Sequence, residues 1–239
     1  MRVDLHCHSR WSPDSGTTLE AIIKAVAARG LDALALTDHN AIDGALALAD
    51  CAPFTVIVGE EVKTAEGEII GLYLSEWIPG GLSPEATIDA IHAQGGVAYV
   101  PHPFDRIRGS TLTRGALARV AHRLDAIEAY NSRCLFPHFN LRAAAFARRM
   151  DLPAGAGSDA HAPDEIGAAW VEVADCDLSK PEDLLRCLSA GRIHGRATGP
   201  LGRLAPAAVR ARRRIAAWRR RTGSTRREAT AATEAEDSP

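Results

Sequence analysis

Two hydrophobic periods alternate along residues 1–199. Short apolar runs with a period of two predict strands at Val3–Cys7, Ala33–Leu36, Phe54–Val58, Val97–Val100, Ala126–Ala129 and Pro153–Gly157. Between them the period lengthens towards 3.6 and predicts helices. Thr18–Arg29 places Leu19, Ile22, Ile23 and Val26 on one face and stops at Gly30. Ser83–Gln94 opens with Ser-Pro-Glu, an N-cap followed by proline in the first turn, and ends at Gly95-Gly96. Further helices are predicted at Thr113–Arg123 and Leu141–Arg149, and a hairpin over Ala65–Glu68 leads into Ile69–Leu74. Strands alternating with helices imply parallel strands joined by helical crossovers, in an open sheet or a barrel.

Residues 200–239 break this pattern. They are rich in Ala, Arg, Thr and Glu, so the expected organisation is a domain at 1–199 and an Arg-rich tail at 200–239. Val209–Trp218 is read as a helix and Gly223 onward as disordered. The overall charge of −2 hides an asymmetry. Ten arginines face Glu228, Glu234, Glu236 and Asp237 in the tail, a balance of +6, which leaves 18 basic and 26 acidic side chains, or −8, in residues 1–199. All nine histidines also lie in that acidic part. Such a domain is a poor general binder of nucleic acid and a good home for cations. The tail is expected to dock on the acidic barrel or to stay disordered, and to be dispensable for catalysis. Five scattered cysteines without CxxC spacing argue against a disulfide framework or a cysteine zinc site. No apolar run is long enough for a transmembrane helix. The opening Met1–His6 carries no signal-peptide pattern, so a cytoplasmic location is expected.

Chemistry collects at the predicted strand ends. His6-Cys7-His8 leaves the first strand with both imidazoles on one side and Cys7 turned to the core. Asp14 follows in the next loop. The second strand runs into Asp38-His39-Asn40 and the third into Glu60-Glu61. His102-Pro103, Tyr130-Asn131 and Gly157-Ser158-Asp159-Ala160-His161 follow the later strands. Each motif alone has an ordinary explanation, as a cap, a turn or a packing histidine. Recurrence at six strand ends points to metal ligands at one rim, where parallel α/β folds build their sites. His92, His122, His138 and His194 fall outside the pattern and are read as surface or packing residues.

With those residues in place, the chain resembles the PHP family, named for its polymerase and histidinol phosphatase members. Four family motifs stand in order over about residues 1–195: His6-Cys7-His8 with Asp14, Thr37–Asn40, His102-Pro103 and Gly157–His161, with Glu61 after the third strand. The resemblance is strongest to the small stand-alone phosphoesterases, and it implies an α/β fold, a distorted (β/α)7 barrel with a metal site at the C-terminal rim of the strands. It further implies three divalent ions (Mn, Fe or Zn). His6, His8, Glu61 and Asp159 would hold the first. Glu61 would bridge to a second on His102 and Asn131. Asp14, His39 and His161 would hold the third. Some relatives carry histidine where this chain has Asp14 or Asn131.

The expected function is hydrolysis of small phosphorylated molecules, phosphomonoesters such as nucleotides, by metal-activated hydroxide. Asp38 and His161 are the candidates for proton handling or for orienting an imidazole. Arg10, Arg106, Arg108 and Arg133 are the candidates for gripping phosphate. Two alternatives use similar chemistry. A 3′-end nuclease would use the same ions, but the −8 domain disfavours long duplex contacts. An amidohydrolase-type enzyme would need a bridging lysine at a strand end, and only Lys63 lies near one. A non-enzymatic metal-binding module would be favoured by missing ligands, and every ligand position is filled.

Overall fold

A computed structural model of the chain describes residues 1–199, 206–213 and 215. The strands are β1 (Arg2–Cys7), β2 (Ala33–His39), β3 (Thr55–Thr64), β4 (Gly67–Leu72), β5 (Val97–Val100), β6 (Ala126–Asn131), β7 (Ala154–Gly157), β8 (Ala169–Glu172) and β9 (Arg192–Gly195). The helices are α1 (Leu19–Arg29), α2 (Asp43–Ala49), α3 (Pro84–Ala93), α4 (Arg114–Val120), α5 (Pro137–Met150) and α6 (Pro181–Ser189). A further helix covers residues 206–213.

All strands join one sheet in the order β7-β6-β5-β4-β3-β2-β1-β8-β9. The sheet curls until its β7 end returns to β1. There Asp159 N donates to His6 O at 2.7 Å, His8 N donates to Ala160 O at 2.9 Å, and Cys7 bridges Ala160 in parallel. The fold is therefore a nearly closed seven-stranded α/β barrel with the antiparallel β8–β9 pair attached to the outer edge of β1. Parallel pairing, expected where strands alternate with helices, holds for β1-β2-β3 and β5-β6-β7. The hairpin after β3 makes β4 antiparallel to both its neighbours.

Local sequence sets the boundaries. Thr18 Oγ1 accepts from Ala21 N at 3.3 Å and starts α1, and Gly30 at φ 62° ends it. Ser83 Oγ accepts from Ala86 N at 3.1 Å and starts α3. Several elements run past the predicted bounds, notably β2 to His39, β3 to Thr64 and α5 from Pro137. Helix α2 and the β8–α6–β9 segment lie outside the sequence-based assignment.

The barrel interior is filled by Val3, Leu5, Ala35, Ile57, Leu72, Tyr99, Ala156 and Val171, while Cys7 joins the outer layer with Ile22, Val26, Leu36 and Leu48. A register shift between Asp4 and Cys7 lets Leu5 stay inside the barrel while His6 and His8 turn to its mouth. The Ala-Gly-Ala-Gly sequence of β7 makes that turn possible, since a Cβ on Gly157 would collide with His6. Among the described residues no helix is long and apolar enough to cross a membrane.

Candidate metal centre

Glu61 is the pivot of the site. Its Oε2 lies 3.0 Å from His39 Nδ1 and 3.4 Å from both His6 Nε2 and His8 Nε2, and its Oε1 lies 3.1 Å from His102 Nε2. The carboxyl ends of β1 and β2 and the turn after β5 thus deliver four imidazoles to one carboxylate on β3. The segment after β7 completes the ring. Asp159 Oδ1 is 3.4 Å from His8 Nε2 and 3.5 Å from His161 Nδ1, and Asp14 Oδ1 is 3.4 Å from His161 Nε2. Asp14 Oδ2 lies 3.7 Å from His39 Nε2. His102 (φ 30°) and Asp159 (φ 52°) both adopt the left-handed backbone region, a strain that persists where surrounding contacts over-determine it.

Three overlapping donor groups emerge: His6, His8 and Glu61; His8, His39 and His161; and His39, Glu61 and Glu68. The chemistry of these sets fits divalent cations, with imidazole suited to transition ions and shared carboxylate suited to bridging them. Asp14 Oδ1 is buried with no hydrogen-bond partner, the pattern expected of an atom shaped to face an ion.

Electrostatics lean the same way. Burial works against every charge here, yet the imidazolium and guanidinium neighbours hold the Glu61, Asp159 and Asp14 carboxyls well below the ordinary range. His6 and His39 are held above the usual imidazole value, because Asp159 and Glu61 beside His6, and Glu61 and Asp14 beside His39, outweigh their burial. His8 goes the other way. Burial, with His161 and His39 adjacent, pushes it down to about 3. It is therefore a neutral imidazole, the ligating form.

Sequence reasoning missed two carboxylates. Glu128, in the middle of β6, accepts from His6 Nδ1 at 3.1 Å through Oε1, and its Oε2 accepts from His102 N at 2.6 Å and Asn131 Nδ2 at 2.9 Å. Its signal was a lone charge inside an otherwise apolar strand. Glu68, at the start of β4, lies 3.9 Å from His39 Nδ1 and 3.8 Å from His102 Nε2. Burial, then the charge of Glu61, pushes its carboxyl up to about 7.

The expected substrate and proton-handling residues fall in different places. Asp38 lies fully buried beneath the loop after β1, where its Oδ1 accepts from Ser9 N, Ser12 N and Ser12 Oγ and its Oδ2 from Ser9 Oγ. It touches no imidazole directly; Ser12 Oγ, 3.0 Å from His8 Nδ1, stands between. Asn131 sits among the ligands, donating to Asp159 Oδ2 at 3.1 Å, with its own Oδ1 accepting from Arg108 Nη2 at 3.2 Å. Arg108 also grips Asp159 and Asp105. Arg133 Nη1 is held by both oxygens of buried Glu165, at 2.9 and 3.0 Å, and Glu165 Oε2 accepts from His161 N. Arg10 is exposed and stacks on Trp11, and Arg106 is exposed; neither lines the cleft. Lys63 is exposed on β3. The four other histidines lie elsewhere in the fold. His92 pairs with Asp125, His194 with Glu172, and His138 stacks on Phe136, while His122 sits in the turn after α4.

A cleft of about 520 Å³ opens over this cluster, lined by Asp14, His39, Glu68, Arg108, Asp159 and His161. One of its walls comes from the tail, through Pro206 and Arg210. Arg210 Nη1 is 2.7 Å from Asp14 Oδ2. The tail expected to be remote from the chemistry therefore reaches the metal centre. Residues 216–218 of the predicted tail helix, and everything from Gly223 on, lie outside the described residues.

Most residues that build this centre lie in segments matched by known families, with Glu128 and Asn131 between the two. A family model of the PHP domain matches residues 4–110, and a model described as PHP-associated matches residues 137–193. The uncharacterized protein MJ0417 of Methanocaldococcus jannaschii is 35% identical over 187 residues, which cover 77% of this chain and 75% of that protein. The chain belongs to the PHP family. Solved structures reproduce the PHP barrel at lower identity. A two-domain protein from Bacteroides vulgatus, containing a predicted PHP-like metal-dependent phosphoesterase, superposes with a TM-score of 0.63 at 18% identity, over 86% of this chain and 68% of that one. An amidohydrolase from Chromobacterium violaceum, with bound sulfate and no metal, gives 0.55 at 21% identity over 81% and 97%.

Proposed function

We propose that this PHP chain is a metal-dependent hydrolase that cleaves small phosphate esters, phosphomonoesters such as nucleotides or related metabolites. The observation that carries this reading is the ring of imidazoles and carboxylates around Glu61, each within 3 to 4 Å of the next, at the floor of one cleft. His6, His8, Glu61 and Asp159 would hold one ion. Glu61, His102 and Asn131, with Glu68 in reach, would hold a second. Asp14, His39 and His161 would hold a third. Divalent ions so bound supply a Lewis acid for phosphate oxygens and a water acidic enough to deprotonate near neutral pH. Manganese, iron and zinc all suit this donor set.

The chain's own residues do the rest. Glu128 fixes the ring of His6, and Ser12, held by Asp38, fixes that of His8. Glu165, locked by Arg133, positions the backbone of His161, whose Nδ1 is held by Asp159 O so that Nε2 would be left to the third ion; as a ligand it would not also carry the proton to the leaving oxygen. The amidohydrolase reading is disfavoured, because Lys63, the lysine it would need, points to solvent. The −8 balance of residues 1–199 disfavours a nuclease that grips duplex.

Full-length chain reconstituted with manganese, iron or zinc is expected to release phosphate from at least one of mononucleotides, nucleoside bisphosphates, sugar phosphates and histidinol phosphate. Metal-loaded protein that releases none from a broad panel would overturn the assignment.

A further inference from the structure

Phosphate chemistry needs fixed positive charge facing the cleft, and the arginines flanking the metal motifs supply little of it. Arg10 and Arg106 lie off the cleft. Arg108 spends Nε, Nη1 and Nη2 on Asp105, Asp159 and Asn131. Arg133 is tied to Glu165, so although it and Arg108 also line the cleft, both are committed to carboxylates of the fold. Arg210 differs. It lines the cleft, its side chain is 53% exposed, and among the described residues its one hydrogen bond runs from Nη1 to Asp14 Oδ2. A guanidinium has five N–H donors in a planar fork, so most of this one still faces the space above the ligands.

Its placement is fixed from two sides. Arg213, one turn on, donates from Nη1 to Ser12 O at 2.9 Å and from Nη2 to Arg10 O at 2.9 Å and Ser15 O at 2.8 Å, clamping helix 206–213 to the loop after β1. Pro206 is buried at the other end of the helix and lines the same cleft. Asp14 divides its oxygens. Oδ1 faces His161 with no hydrogen-bond partner, while Oδ2 takes Arg210. Cation ligation through Oδ1 and the Arg210 contact through Oδ2 are therefore compatible, and an anion drawn to the centre meets the guanidinium beside it.

We propose that Arg210 is a substrate-binding residue, gripping the phosphate group of a compact ester, and that helix 206–213 is the wall of the cleft that presents it. This rests on the phosphoesterase reading above. The wall also bounds the cleft at about 520 Å³, the scale of a small-molecule site, which restricts the substrate to a small ester.

The test uses full-length, manganese-loaded protein and inorganic phosphate as the probe, with the dissociation constant measured by calorimetry and metal content by elemental analysis. Arg210→Gln is expected to weaken phosphate binding about 10- to 100-fold with metal stoichiometry unchanged, because it removes charge-assisted hydrogen bonds to the anion. Arg210→Lys should recover part of the loss. Arg213→Ala should weaken phosphate binding too, by releasing the helix. Arg212→Ala, exposed on the same helix and outside the cleft, should have no effect. Trypsin should cut after Arg210 and Arg213 several-fold more slowly when phosphate is present.

An unchanged phosphate constant in Arg210→Gln overturns the proposal, as does a loss of metal in that variant, which would make Arg210 only a brace for Asp14. Wild-type chain that binds phosphate through Arg210 but hydrolyses no ester would sink the function and leave the anion site standing. Wild-type turnover with Arg210-independent phosphate affinity would do the reverse.

Discussion

Replacing Asp38 by asparagine and by alanine separates a buried brace from a proton-transfer group. In the asparagine variant an oxygen at the Oδ1 position still accepts from Ser9 N (2.7 Å), Ser12 N (3.1 Å) and Ser12 Oγ (2.7 Å). Each of those bonds weakens by about 1 kcal/mol when the acceptor loses its charge. The loss is largely offset, because burial raises the Asp38 carboxyl above its ordinary value despite the four hydrogen bonds from the serines. Ionising it inside the fold therefore carries a net cost, and the neutral amide avoids that cost. The balance comes to about 1 kcal/mol of lost stability. Alanine does more harm. Ser9 N loses its acceptor, and the hydroxyls of Ser9 and Ser12 both lose their anchor, whereas Ser12 N keeps a bond to Ser9 O at 3.0 Å. One stranded buried donor and two lost hydroxyl bonds amount to about 4 kcal/mol.

The consequences for metal follow from Ser12. Its hydroxyl holds His8 Nδ1 at 3.0 Å, so the asparagine variant keeps the imidazole oriented and should bind manganese within about threefold of wild type. The alanine variant should bind it about 10- to 100-fold more weakly. Urea unfolding, manganese titration and steady-state kinetics on the best ester read all three effects. If Asp38→Asn folds and loads metal normally yet loses about 10²- to 10⁴-fold in kcat, Asp38 transfers a proton in the reaction, and the bracing account is wrong.

Three further outcomes are expected. Glu61→Gln should lower bound metal as well as turnover, since a neutral amide is a poor bridge between dications; elemental analysis showing full metal content would remove Glu61 from its pivotal place. Arg133→Ala should cost about 3–5 kcal/mol in urea unfolding, because it strands the buried Glu165 carboxylate and frees the backbone of His161; a stable variant changed only in KM would show that the arginine contacts substrate instead. Burial pushes Glu60 up to about 7 from an ordinary 4.5, so the folded state binds the extra proton between those values and stability falls as pH rises through that window. Glu60→Gln should therefore gain on wild type by about 2–3 kcal/mol between pH 4.5 and pH 8, and a pH-independent difference in urea unfolding would contradict the burial argument.

The candidate ligands were legible in the sequence where strands run parallel. Residues leaving the carboxyl ends of β1, β2, β3, β6 and β7 all reach one rim, so His6, His8, His39, Glu61, Asn131 and Asp159 could be read from strand ends without a structure. Glu68 escapes that rule for a geometric reason. Because β4 is antiparallel, it enters the sheet at the rim that its neighbours leave, and its site residue stands at its first turn instead of its last. Glu128 escapes for another reason, since it serves the ligands from within β6 and its neighbours Ile127 and Ala129 are ordinary core residues. Helix α2 has no side-chain cap, and β8 and β9 have four residues each, too few for a periodicity to register.

The tail shows what composition can and cannot decide. A +6 segment beside a −8 domain predicts attraction without an address, because net charge fixes neither register nor orientation. The address is set by hydrogen bonds that composition cannot reveal. Three backbone carbonyls of the loop after β1 turn outward to Arg213, and the carboxylate of Asp14 in that same loop turns to Arg210. The loop's backbone is held in turn by Ser9 and Ser12 on Asp38 and by Ser15 Oγ on the carbonyls of His8 and His161. One short loop thus carries a candidate metal ligand, braces a second through Ser12, and docks the helix that walls the cleft. Net charge favours contact between the two, and this loop sets helix 206–213 beside the candidate metal centre.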